Sequence, residues 1–388
     1  MDTSARHDII LFGATGFTGG LVAEYLAQTL EPGQLSWALA GRDVRKLRRV
    51  REALAATNPA WAELPLYQGL SSDSESLRDL AARTRVMLTT VGPYASHGEP
   101  LVAACVAEGC DYVDLTGEPT FWKGVIDRHH GEAAAKGLRL VSCCGFDSIP
   151  HDLGVLYTVD RLREHGGEGP IEIDGFVRAH GGFSGGTLAS ALQAMAELRP
   201  GASSGRSAPS HGPGGTRSRP RIHFESAIGR WVVPMPTIDP LVVERSTALI
   251  GEYELRYGHY MAAKSLPRLA ALMAGVGTVF ALAKTPARHL LERLRPSGSG
   301  PSEEQRAKGW FVVTFVGRQG QASVTTEVRG GDPGYGHTAK MIAEAARCLA
   351  EDRDRLPARH GVLTPAAAMG EVLIERLRQT GMEFTVRA

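Results

Sequence analysis

Short apolar runs and amphipathic stretches alternate through the first 150 residues. Ile9-Ile10-Leu11-Phe12 is an unbroken apolar run of strand length, and residues 17–30 carry Leu21, Val22, Tyr25 and Leu26 at helical spacing. Runs at 35–40, 64–70, 86–91, 112–115 and 138–142 predict further strands, with helices at 74–83, 97–108 and 120–136 between them. A parallel crossover needs a connecting helix, so the alternation predicts a doubly wound parallel α/β domain over residues 1–150.

Beyond Pro150 the rhythm changes. The pattern predicts a helix to about residue 165, a strand at 171–179 and a helix at 187–198. Residues 200–220 are rich in Gly, Ser, Pro and Arg, too polar to order against a core, and are expected to form a mobile loop. Strands are expected at 222–233 and 242–257, then an apolar helical run at 269–283 and a Pro/Ser/Gly stretch at 296–302. Residues 310–316 and 322–328 flank a Gly-containing turn and predict a hairpin. Together these outline a second, α+β substrate domain over 151–330. Helices predicted at 335–351 and 365–379 lie in a tail, 331–388, expected to pack back on the first domain.

Composition narrows the function classes. Hydrophobic residues make up 43% of the 388 and charged ones 22%, enough to bury a sizeable core. Lys and Arg number 43 against 42 Asp and Glu, leaving no cationic excess for a nucleic-acid partner. Five cysteines, an odd number without CxxC pairs, argue for a reduced, cytoplasmic setting, and the polar residues 1–7 do not read as a signal peptide. The 269–283 run is shorter than the roughly 20 residues of a spanning helix. It leaves room for a core helix, a homo-oligomer face or a peripheral membrane contact.

The chemistry begins at Gly13-Ala14-Thr15-Gly16-Phe17-Thr18-Gly19, a glycine loop between a strand and a helix. There the backbone approaches a pyrophosphate closely and the helix N-terminus offers amide groups and partial positive charge. Gly41-Arg42-Asp43 ends the second predicted strand. An acidic residue at that point would bind an NAD ribose, whereas Arg42, helped by Lys46 one turn on, would accept the 2′-phosphate of NADP. Asp43 binding a ribose with Arg42 merely solvated is the competing arrangement.

Further motifs follow at characteristic intervals: Val91-Gly92-Pro93-Tyr94, residues 112–118 (YVDLTGE), Gly145-Phe146-Asp147-Ser148-Ile149-Pro150 and residues 331–341. With the glycine loop and Ala40-Gly41-Arg42, the chain resembles the saccharopine dehydrogenase-like oxidoreductases, in particular their trans-acting enoyl reductase branch. The resemblance implies a Rossmann domain with an inserted mixed substrate domain, and hydride transfer from NADPH to a double bond of a polyketide-derived lipid or acyl chain.

Candidate site residues follow from these motifs. Gly13, Thr15, Gly16, Phe17, Thr18, Gly41, Arg42 and Lys46 would hold the adenosine and phosphates, and Val91, Gly92, Pro93, Tyr94, Gly145, Phe146 and Asp147 the nicotinamide half. Tyr94 and His97 are the candidate proton donors; packing for Tyr94 and helix capping for His97 are the alternatives. Asp147 and Ser148, ahead of Pro150, are expected to cap the next helix. Phe183, Ser184, Gly185 and Thr187, in a second glycine-rich loop, are candidates for framing a hydrophobic or carrier-bound acyl substrate. Tyr260 and Lys264 form a YxxxK pair, but too far along the chain for the usual reductase position. Cys143 and Cys144 read as small buried hydrophobes. No His spacing suggests a metal, so none is expected. A saccharopine-type amino-acid or imine dehydrogenase and a non-catalytic, lipid-associated NADP-binding protein are the rival functions.

Overall fold

In a computed structural model of the chain, the run after Asp8 becomes β1 (His7–Phe12), the hub of a seven-stranded sheet. The structure describes residues 6–181, 215–216, 222–235, 237–283 and 300–387. Around β1 the sheet is ordered β14-β6-β5-β4-β1-β2-β3, with β2 (Trp37–Gly41), β3 (Leu66–Gln68), β4 (Thr84–Thr89), β5 (Asp111–Val113), β6 (Arg139–Val141) and β14 (Gly361–Leu363). Every pairing is parallel. Ile9 and Leu11 pack with Val22, Leu26 and Leu39 on one face, whereas Ile10 and Phe12 pack with Leu77, Leu101 and Tyr112 on the other. Burial on both faces is what an all-parallel sheet requires, and it explains the unbroken apolar run.

The second sheet is mixed, ordered β15-β13-β12-β7-β11-β10-β9. Its strands are β7 (Ile171–His180), β9 (His223–Glu225), β10 (Arg230–Pro234), β11 (Leu255–Ala263), β12 (Trp310–Gln319), β13 (Ala322–Gly330) and β15 (Glu383–Val386). The two-residue β8 (Gly215–Thr216) pairs with β11. These two residues are the described part of the stretch expected to be a mobile loop, and they are strand. The helix expected at 187–198 lies outside the described residues.

Helix Ile149–Glu164 joins the two sheets. Gly154 lets it approach β12 so closely that a Cβ there would collide with the Phe315 ring, and Thr158 Oγ1 meets Thr326 Oγ1 at 2.6 Å. Helix Gly336–Glu351 packs on helix Phe17–Thr29 and on β1, β4 and β5, and helix Pro365–Gln379 packs on it and on Ile149–Glu164.

Three expectations are corrected. The strand expected at 242–257 is helix Asp239–Ile250 followed by β11. Pro240 in its first turn and Gly251 in the left-handed conformation (φ +70°) bound that helix, while Val242, Val243 and Ser246 form its buried side. The single strand expected at 222–233 is the hairpin β9–β10, turned at Gly229 (φ +63°). The helix expected at 97–108 is interrupted at Gly98, with Tyr94–His97 as a separate turn before Glu99–Glu108. The apolar run falls in helix Leu266–Ala283, and among the described residues no helix is long and apolar enough to cross a membrane.

Candidate functional site

The C-terminal ends of β1, β2 and β4 surround the glycine loop. Gly13 adopts φ +98°, and a Cβ on it would lie 2.8 Å from both Thr90 Oγ1 and Val91 Cγ2. A Cβ on Gly19 would run into the Gly13 carbonyl oxygen, which already accepts the Gly16 amide at 2.9 Å. The loop is therefore closed by backbone against backbone, an approach open only to glycine. Gly16 caps helix Phe17–Thr29 without any side-chain bond, so the first-turn amides remain available to an anion. Thr15 and Thr18 are partly exposed beside them. The Phe17 ring turns inward onto Tyr335, 4.9 Å away edge to face.

Gly41 closes β2 and passes the chain to an exposed Arg42, whose guanidinium has no hydrogen bond or ion pair among the described residues. Asp43, the residue of the ribose-binding alternative, caps the next helix through Oδ1. Its carboxylate accepts the Arg45 and Lys46 amides at 2.9 and 3.2 Å, capping helix Val44–Thr57, and those bonds, the Lys46 amide foremost, hold it below the usual carboxylate range. Lys46 is exposed on the same turn.

After β4, Val91, Gly92 and Pro93 run along the sheet edge toward Tyr94. The Glu118 carboxylate accepts the Tyr94 and Ala95 amides at 3.0 and 2.7 Å, tying this turn to the one after β5. Tyr94 itself is 5% exposed; its hydroxyl donates to the Thr89 carbonyl at 3.2 Å and accepts the Leu115 amide at 3.1 Å. Burial pushes its ionisation well above the ordinary tyrosine value. The phenol, the candidate donor, here pins two strand ends together, as in the packing alternative. His97, in contrast, is exposed at the end of its helical turn.

The loop from 142 to 150 is organised by Asp114. This buried carboxyl accepts the Thr116 and Cys143 amides, both at 3.0 Å, and the hydroxyls of Tyr112 and Ser142 at 2.9 and 3.1 Å; burial raises it to about 6 against those bonds. The Cys143 amide bond holds that residue at φ +66°, a conformation uncommon outside glycine. Both Cys143 and Cys144 are buried, and burial drives their thiols well above the ordinary value. Phe146 donates its amide to Thr338 Oγ1 at 3.2 Å and sets its ring 5.0 Å from Phe311. Neither Asp147 nor Ser148 caps the following helix, contrary to expectation: Ser148 Oγ makes no cap bond and is buried. Asp147 keeps solvent access yet is ringed by protein, which raises it to about 6, the Asp239 charge adding and His151 opposing.

Directly behind this loop lies a group that the sequence did not disclose. His151, Asp239 and His259, from two helices and a strand, are buried together, with His151 Nδ1 2.7 Å and His259 Nε2 3.5 Å from the Asp239 carboxylate. Their separations of 88 and 20 residues match no short ligand motif, and Asp239 falls between the strands expected at 222–233 and 242–257. The Tyr260 ring stacks on Phe176 within the second sheet, and Lys264, just past the end of β11, is exposed.

Phe183, Ser184, Gly185 and Thr187 lie outside the described residues. The chain leading to them passes Gly181, where a Cβ would sit 3.0 Å from Asp332 Oδ1. Asp332 Oδ2 in turn accepts the Tyr335 and Gly336 amides at 3.0 and 2.9 Å. The segment 331–341 therefore meets the glycine loop through Tyr335 and the 145–150 loop through Thr338.

Comparison with known proteins gives full-length relatives. The chain is 38% identical over 416 residues to a trans-acting enoyl reductase of Mycobacterium ulcerans, covering 97% of this chain and 96% of the relative. A trans-acting enoyl reductase of Mycobacterium leprae is 35% identical, with the same coverage. No family model matches the chain. Among solved structures, apo saccharopine dehydrogenase (L-Glu forming) from Saccharomyces cerevisiae aligns over 98% of this chain and 100% of its own, with a TM-score of 0.54 at 12% identity, a similarity of fold. Full-length identity of this order, on a two-sheet frame shared with saccharopine dehydrogenase, places the chain in the trans-acting enoyl reductase family.

Proposed function

We propose that the protein is an NADPH-dependent reductase that saturates the carbon–carbon double bond of an enoyl group on a hydrophobic, polyketide- or lipid-like chain. The observation that carries this reading is the side-chain-free cradle at Gly13–Gly19, opening onto an uncapped helix end with an unengaged Arg42 beside it. The cradle fits a pyrophosphate because the tight Gly13–Gly19 approach, which a Cβ would break, sets the uncapped amides of the Gly16–Thr18 turn at the end of β1. Arg42 fits a 2′-phosphate because its charge has no other partner among the described residues. The names of the full-length relatives support the enoyl substrate class.

When bound, NADPH supplies the hydride. The residues of the chain do the rest. Amides of the Gly16–Thr18 turn hold the pyrophosphate, Arg42 and Lys46 the 2′-phosphate, and the Val91–Pro93 and Gly145–Phe146 backbones line the nicotinamide half. Reduction of the double bond takes one proton besides the hydride. Two exposed titratable side chains stand on these strand ends, His97 and Asp147. The raised Asp147 carboxyl, at about 6, retains a proton closer to neutrality than an ordinary aspartate does.

Two measurements test the reading. Removing a charge-assisted phosphate contact costs roughly 1.5–3 kcal/mol, so Arg42→Ala is expected to lower the NADPH-to-NADH affinity ratio by about tenfold to hundredfold; an unchanged ratio removes the NADP assignment. NADPH oxidation is expected with enoyl thioesters of increasing chain length. Turnover of an imine or amino acid in their place, or of neither, would overturn the enoyl reading.

A further inference from the structure

His151 stands on the first turn of helix Ile149–Glu164, Asp239 opens helix Asp239–Ile250, and His259 lies midway along β11. Their side chains are 3%, 3% and 0% exposed, and one ligand atom from each lies within 4.8 Å of the others. His151 Nδ1 is 2.7 Å from Asp239 Oδ1, and the buried His151 Nε2 has no hydrogen-bond partner among the described residues. A buried imidazole nitrogen left without a partner, beside a carboxylate and a second imidazole, is a donor set that is not saturated by protein.

The surrounding charges point the same way. Asp239 and Asp147 repel each other across this space, a repulsion that a bound cation would relieve. The Asp239 carboxylate also takes the Thr237 hydroxyl, so its orientation is set independently of the histidines. The Tyr257 hydroxyl meets His259 Nδ1 at 3.2 Å, which fixes the ring and turns Nε2 toward Asp239. Imidazole nitrogens, a carboxylate and an outer hydrogen bond that orients the ring are the features of a zinc-type ligand set.

We propose that His151, Asp239 and His259 form a binding site for one divalent transition-metal ion of the zinc class, held by two imidazoles and one carboxylate with a further coordination position open. Bound there, the ion tethers the 145–150 loop to the second sheet through three segments distant in the chain. The proposal stands independently of the reductase reading.

The test uses the full, untagged chain purified without chelator. Elemental analysis is expected to find about one equivalent of zinc per chain. Chelator-stripped protein is expected to take up one equivalent of Co²⁺ with visible d–d absorption that added Zn²⁺ abolishes. Asp239→Asn, His259→Gln and His151→Gln are each expected to reduce metal stoichiometry severalfold, circular dichroism reporting whether each is folded. His151→Gln leaves the Asp239–Thr237 and Tyr257–His259 contacts in place and so gives a folded comparison if the others fail. Wild-type chain that binds neither zinc nor cobalt overturns the proposal, as does unchanged stoichiometry in the folded variants.

Discussion

Tyr94 shows how much a single hydroxyl's surroundings decide. On the sequence it is an aromatic donor at a strand end; in the fold its oxygen serves the Thr89 carbonyl and the Leu115 amide, inside a ring contact with Phe121. Tyr94→Phe leaves a buried acceptor and a buried donor unmet, which costs about 1–3 kcal/mol. Stability in urea is expected to fall by that amount while the rate of NADPH oxidation per folded molecule is retained. A rate loss of a hundredfold or more with stability unchanged would restore Tyr94 as the proton donor. Arg42 is the opposite case: an exposed side chain whose position at the end of β2 could be read directly from Gly41-Arg42-Asp43, because the strand that sets it is a plain apolar run.

Among elements, the meeting of three helices around Asp152 carries a testable pH dependence. This buried carboxyl accepts the Ser246 hydroxyl and, at 2.8 Å, the Ala366 amide, joining helices Ile149–Glu164, Asp239–Ile250 and Pro365–Gln379. Burial raises it to about 7. A carboxyl raised in the folded state holds its proton there after the unfolded chain has released its own. Its contribution is therefore fully present below about pH 4 and is lost as pH rises to about 7. Asp152→Asn, which keeps an acceptor for Ala366, is expected to flatten the decline in stability between these values, read from urea melts at several pH values. A decline identical to wild type would show that Asp152 does not titrate in this window. Helix Asp239–Ile250 also marks where pattern misled: Val242-Val243 favours a strand locally, yet Pro240 and Gly251 bracket a helix with its buried face on Val242, Val243 and Ser246.

On the scale of the molecule, the last 28 residues complete both sheets. β14 extends the first sheet beside β6, held by the Leu138 carbonyl, by His130 Nδ1 on the Val362 amide and by Arg245 on the Val362 carbonyl. β15 closes the edge of β13, and its Phe384 is buried. Deleting residues 361–388 exposes two strand edges at once and removes helix Pro365–Gln379 from between the sheets. The truncated chain is expected to aggregate and to lose cooperative unfolding, as seen by size exclusion and thermal melts. A soluble monomer with a single sharp transition would contradict this account of the tail.

Local chemistry determined what could be read from the chain alone: the β1–α–β2 unit, its glycine cradle, Arg42 at the strand end and the alternation that makes a doubly wound sheet. Those features rest on contacts within a few tens of residues, where apolar runs and glycines leave few conformations. Tertiary structure decided the rest. β14 stands far along the chain from the β–α alternation that disclosed the equally short β3, β5 and β6, the roles of Tyr94, Asp147 and Ser148 depend on which neighbours reach them, and His151, Asp239 and His259 become one group only when two helices and a strand from distant parts of the chain close on the same buried point.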